Sequence, residues 1–187
     1  MKTSRILLLA ALFCCVSVAS AQKSNYPKNS LKVGFGTAYL NSGDYFGKHR
    51  SLDYQRSFFP LLGMGLNVGM TDASKNLNET DKVSTKSYQG ELNLFLSPIH
   101  NRINSLKFGF GGVYRSATDV TEPINASSDS LGVLPAEDVH QELGYTVLLE
   151  YELYIAKHLT MGTRASYQQY ESGDKVFYWG LNAGIRF

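Results

Sequence analysis

His49, Ser51 and Asp53 fall at alternate positions, so on a β-strand they share one face. An imidazole, a hydroxyl and a carboxylate on one face are the parts of an esterase- or acyltransferase-like trio. No nucleophile motif surrounds Ser51, and a polar strand mouth is the preferred reading. His140 and Glu142 also share a face and would offer a base pair or two metal ligands, but no third ligand accompanies them. His100 and His158 fall in or beside turns, where exposure to solvent explains them. The glycines at 34 and 36, and at 109, 111 and 112, resemble phosphate loops only in spacing, because no helix follows either set. Asn78-Glu-Thr80 and Asn125-Ala-Ser127 match the N-glycosylation sequon, and Asp129-Ser-Leu131 matches a short O-glycosylation tripeptide within a serine-rich loop. Matches this short carry little weight. The expectation is therefore a chain with no catalytic residue, no cofactor and no metal site.

A second set of charged residues has more coherent spacing. Lys32, Lys107, Arg115, Arg164 and Arg186, with Asp53, Glu91, Glu142 and Glu150, each lie within a run of alternating polarity, on the face opposite the apolar residues. Eleven of the 17 glycines share that face. Five cations against four anions is close to balance, and buried charges are costly unless paired. The spacing predicts a lumen charge network of Asp53, Glu91, Lys107, Arg115, Glu142, Glu150, Arg164 and Arg186, with Lys32 beside it.

The elements that must position these residues are strands. The last of them, 177–187, alternates Phe177, Trp179, Leu181, Ala183, Ile185 and Phe187 with Tyr178, Gly180, Asn182, Gly184 and Arg186. The same period appears at 31–40, 49–57, 62–71, 88–96, 106–115, 139–151 and 159–168. Residues 72–85 and 117–138 lack the period and read as long loops, while 97–105, with Pro98, reads as a turn. Eight strands with short connections after the second, fourth and sixth fit an up-and-down barrel whose short turns and both ends face one compartment. Alternation alone leaves the inner face open: a lipocalin-like soluble barrel would turn the apolar side inward. Glycine and paired charge on one face favour that face as the interior, since eight strands enclose just enough room for side chains.

The start of the chain bears on the compartment. Residues 1–21 read as a secretory signal peptide: Lys2 and Arg5 before an apolar stretch, then Ala19-Ser-Ala21 as the cleavage site. Residues 22–30 read as a flexible lead-in and 31–187 as the barrel domain. Both cysteines, Cys14 and Cys15, lie in the signal, so no disulfide framework and no thiolate metal site is expected in the barrel. Of the 18 basic residues, two belong to the signal, which leaves 16 against 16 acids and no basic field for nucleic acid. No later segment is long and apolar enough for a transmembrane helix.

The Leu52–Arg56 strand, the glycine-alternating stretch at 62–70 and the closing Gly-Leu-Asn-Ala-Gly-Ile-Arg-Phe resemble the small outer-membrane β-barrel proteins of Gram-negative bacteria, the OmpA/OmpX type, and in particular porin-family barrels of Bacteroidota. The resemblance implies an all-β, eight-stranded antiparallel transmembrane barrel in the cell outer membrane. It implies outer-membrane lipid, lipopolysaccharide and the barrel-assembly machinery as partners, and a monomer. Trp179, Leu181, Ile185 and Phe187 would be the assembly signal, with Phe187 as its key residue. Members of this class are adhesins, structural anchors, small channels or, occasionally, lipid-modifying enzymes. The expectation here is a non-enzymatic structural or surface-loop interaction protein, with a narrow channel or a lipid-modifying enzyme as alternatives.

Overall fold

The computed structural model describes residues 28–41, 45–76, 81–123 and 136–187. The expected signal peptide, most of the expected lead-in, both sequon matches and the Asp129 tripeptide lie outside them. The strands are β1 (Asn29–Leu40), β2 (Tyr45–Ser57), β3 (Leu62–Asn76), β4 (Asp81–His100), β5 (Asn104–Pro123), β6 (Ala136–Tyr154), β7 (Leu159–Tyr170) and β8 (Lys175–Arg186). Each pairs antiparallel with its chain neighbour, and β1 pairs with β8 to close the barrel. Phe187 and Asn29 complete the seam by exchanging both backbone hydrogen bonds, each at 2.9 Å.

Register fixes the shape. Starting from Ser30, successive cross-strand partners are Gln55, Gly65, Asn93, Gly111, Thr146, Gln168 and Val176, and the walk returns to β1 at Leu40, ten residues beyond its start. A stagger of that size over eight strands requires tilts of roughly 35–45°.

Alternation assigns the faces, and burial agrees. Leu66, Leu94 and Trp179 point outward, with Trp179 61% exposed, while Glu150 and Arg164 point inward at 0% and 4%. The outer face is an apolar belt; Tyr39, Phe46, Tyr88, Tyr114, Tyr145 and Phe177 lie toward its end at the loops β1–β2, β3–β4, β5–β6 and β7–β8. That order, lipid-compatible outside and polar inside, is the reverse of a lipocalin's.

The chain departs from the sequence reading at the strand ends. Where 72–85 and 117–138 read as loops, β3 runs on to Asn76, β4 starts at Asp81, β5 reaches Pro123 and β6 begins at Ala136. There the outward residues, such as Asp72, Lys86 and Thr118, turn polar while the inward Ala73, Thr85 and Ala117 stay buried, so the apolar alternation disappears from the sequence while the hydrogen-bonded ladder persists. Pro98 does not turn the chain: it sits in the register shift between Leu96 and Ile99, where β4 needs no donor from it. The turns at the chain-terminal end are tight. Asn101 Oδ1 accepts from the amides of Ile103 and Asn104 at 2.9 and 2.8 Å, an Asx-type turn. At the other end, Gly173 takes φ +92 in the turn between β7 and β8, a conformation that side chains disfavour.

Candidate functional site in the barrel lumen

The interior is tiered. Near the chain termini, the Arg186 guanidinium lies 3.7 Å from the centre of the Tyr154 ring, and His158 Nδ1 is 2.9 Å from the Arg186 carbonyl oxygen. Above this sits the main cluster, fed by five strands. Lys32 from β1 reaches both Glu150 and Glu152 from β6, the latter at 2.5 Å. Lys107 from β5 bonds Glu152 at 2.6 Å and donates to Gln55 Oε1 at 2.7 Å. Gln55 in turn donates to Glu150 at 3.1 Å. Arg164 from β7 bonds Glu150 at 2.7 Å and also pairs with Asp53 of β2, which accepts from Asn67 at 2.7 Å. Three cations and three carboxylates thus neutralise one another where water is nearly excluded, the condition that makes a buried ion cluster tolerable.

Glu91 stands apart. Its carboxylate accepts from the side-chain amides of Gln89, Gln168 and Asn93 at 2.8, 2.8 and 3.0 Å, with no cation at ion-pair distance among the described residues. Toward the loops, Ala38, Leu40, Ala73, Val113, Tyr170 and Val176 form a small apolar plug. Over it, Arg115 bonds Glu142 at 2.5 Å and Asp174 at 2.7 Å, and its guanidinium lies 4.1 Å from the centre of the Tyr170 ring. Inward glycines make room for the larger side chains. A Cβ on Gly65 would run into the Phe95 ring, and one on Gly109 would stand 2.7 Å from Leu148.

Of the eight residues predicted for the network, Asp53, Lys107, Glu150 and Arg164 meet in one cluster and Arg115 meets Glu142. Glu91 and Arg186 find neutral partners instead. Glu152 and Asp174 belong to the ion pairs and lie outside the predicted set. The alternation predicted for β6 stops at Tyr151, one residue short of Glu152, although Glu150 and Glu152 continue the period. Asp174 sits in a turn, where no periodicity reports direction.

The imagined catalytic groups are not assembled. Asp53 is held by Arg164 and Asn67, whereas His49 Nδ1 lies 2.8 Å from Thr71 Oγ1 and its ring packs 4.2 Å from Tyr178. His140 lies 3.4 Å from Asp119, and Glu142 is turned to Arg115. Among the described residues, no group of three or more His, Cys, Asp or Glu is placed to hold a metal ion. The four residues expected to form an assembly signal, Trp179, Leu181, Ile185 and Phe187, all lie on the outer face of the final strand or just beyond it.

No protein-family model matches the chain, and no curated protein sequence does. Solved structures do. The attachment invasion locus protein Ail of Yersinia pestis is 14% identical, with 87% of this chain and 99% of that one covered and a TM-score of 0.62. A major outer membrane protein of Thermus thermophilus is 15% identical over 86% and 98%, with a TM-score of 0.63. OprG of Pseudomonas aeruginosa is 14% identical over 87% and 96%, at 0.60. Identities this low speak to fold alone. With the outward apolar belt, they support placement in the outer membrane. The chain has the closed eight-stranded transmembrane barrel of the small outer-membrane proteins of Gram-negative bacteria, the OmpA/OmpX type.

Proposed function

We propose that this protein is a non-enzymatic outer-membrane barrel whose sealed lumen is a structural strut and whose interactions are made by the strands that project beyond the loop end. The carrying observation is the sequence of barriers along the axis: the six-membered ion cluster, the amide-caged Glu91, the apolar plug and the Arg115 bridge. A conducting pore needs a continuous wet path, and each barrier opposes one.

The projection has its own signature. β6 continues to pair with β5 up to Ala136, yet its pairing with β7 begins only at Gly144; likewise β3 runs past Ala73, whose partner Gly47 is the last that β2 supplies. Four strands therefore extend as a sheet whose two outer edges have no strand partner among the described residues, and edges of this kind accept an added strand from a partner. The loop end faces the exterior in this reading, and the short turns face the periplasm. Trp179, Leu181, Ile185 and Phe187 serve as the signal read by the assembly machinery. Ail, similar in fold, is described as an attachment protein, in keeping with a surface role.

Planar-bilayer recording of the refolded protein tests the sealed lumen. Only brief, small events are expected. Large, steady conductance would overturn the reading.

A further inference from the structure

The belt carries one conspicuous fault. On β1, β5, β6, β7 and β8, outward positions level with the hydrocarbon are uncharged, Gln169 beside Tyr145 being the most polar of them, yet β2 places Lys48 and Arg50 there in succession. Both are exposed, and both lie in the half of the belt nearer the loops. The flanking partners of Arg50 across the ladder are Phe35 and Met70, neither of which can offset its charge. Those of Lys48 are Thr37 and Asp72; Asp72 in turn faces a further cation, Lys86, so the patch holds three cations to one acid. Neither Lys48 nor Arg50 enters an ion pair with a described residue, whereas Lys32, Lys107, Arg115 and Arg164 in the lumen are all paired.

A guanidinium facing lipid without a counter-ion is costly, and the cost falls toward the interface. Natural barrels reserve such positions for groups that find an anion or snorkel to the headgroups. Arg50 presents a planar fork suited to phosphate oxygens, and Lys48 adds a compact charge one pleat higher, on the same face. Apolar Phe35, Val68 and Met70 border the pair, as an acyl chain descending from the same headgroup would require. We propose that Lys48 and Arg50 form a seat for the phosphate of a net-anionic membrane lipid in the leaflet at the loop end. Nothing in this depends on the lumen being sealed or on the projecting sheet finding a partner.

Native mass spectrometry of the detergent-released full barrel tests it, with three probes of matched chain length: phosphatidylglycerol, diphosphorylated lipid A and zwitterionic phosphatidylcholine. The wild type is expected to retain at least one anionic probe roughly thirtyfold better than phosphatidylcholine, as about one kcal/mol for each of the two basic residues near a charged surface implies. The double variant K48Q/R50Q should lose that preference, and R56Q, altered at the opposite rim, should keep it. Whichever anionic probe is retained identifies the source of the phosphate, glycolipid or phospholipid. Equal retention of all three probes, or an undiminished preference in a double variant that still shows the gel shift of a folded barrel, overturns the proposal. So does inorganic phosphate alone, if it raises the melting temperature of the wild type and not of the double variant, since the seat would then serve a free anion.

Discussion

Arg164 of β7 and Glu150 of β6 stand directly across the ladder from one another, and both Nε and Nη2 of the arginine donate to the same Oε2, at 3.0 and 2.7 Å. Because Arg164 also pairs with Asp53, one guanidinium ties β7 to its neighbour β6 and, across the lumen, to β2. Removing it leaves two carboxylates short of a partner where solvent cannot replace it. Arg164→Met should destabilise the barrel by about 3–5 kcal/mol. Arg164→Lys should recover part of that, because an ammonium supplies the charge without the fork. Urea unfolding in vesicles, followed by the fluorescence of the single tryptophan, reads both values. A loss below about 1 kcal/mol for the methionine variant would remove the cluster from any account of stability.

Two glycines should answer differently to the same added methyl. At Gly65 the nearest obstacle is the Phe95 ring, which a smaller residue can withdraw. At Gly36 the obstacles are backbone: the Trp179 carbonyl oxygen and the Gly180 Cα, across the closing seam. Gly65→Ala should cost about 1–3 kcal/mol from overpacking and be largely rescued by Phe95→Leu. Gly36→Ala should have no side-chain rescue and should reduce the yield of heat-modifiable, folded barrel on detergent gels.

Trp179 offers a direct check on which side meets lipid. It is 61% exposed on the outer face, within the belt. Brominated acyl chains should quench its emission strongly in refolded vesicles, and aqueous acrylamide should barely touch it. The opposite pattern would place the apolar face away from hydrocarbon.

The projecting part of β6 should exchange amide hydrogens in alternation. The Leu143 carbonyl accepts from Glu171 N at 3.0 Å, so odd-numbered residues there direct their backbone groups toward β7. Beyond that point no described strand lies opposite, so Val139 and Gln141 face away from β5 without a described strand partner while His140 and Glu142 face β5. Fast exchange at Val139 and Gln141 and slow exchange at His140 and Glu142 is the expected record by nuclear magnetic resonance. Uniform protection across the four would mean that the edge is covered.

The fold is legible wherever two solvents act on one strand. Leu62 to Met70 alternates because lipid wets one side and the packed lumen the other, so period, face and strand number follow from residue type. Toward the loops the outward positions, such as Asp72, Lys86 and Thr118, turn polar while the inward ones, such as Ala73, Thr85 and Ala117, are small or polar, so the ladder leaves no apolar alternation in the composition. Within the lumen, residue type names the inward charges but does not match them. Arg164 and Asp53 are 111 positions apart in the chain, and only tilt and stagger decide that they touch. Lys48 and Arg50 escape a reading by residue type because strand two reads as starting at His49, where a polar rim is unexceptional. Their significance emerges only once the neighbouring strands show how consistently the rest of the belt avoids charge.

The seam between β1 and β8 sets the order of events during assembly. Every other strand pair joins neighbours through a hairpin and can zip up cheaply, whereas this pair must bring opposite ends of the chain together. Until it does, the ribbon is curved but unsealed, with the backbone groups of both outer strands waiting for a mate and the inner ions still open to water. Closure is therefore the moment at which the barrel both loses its stickiness and dries its interior, and any factor that escorts it into the membrane must hold those two margins apart from other chains until they find each other.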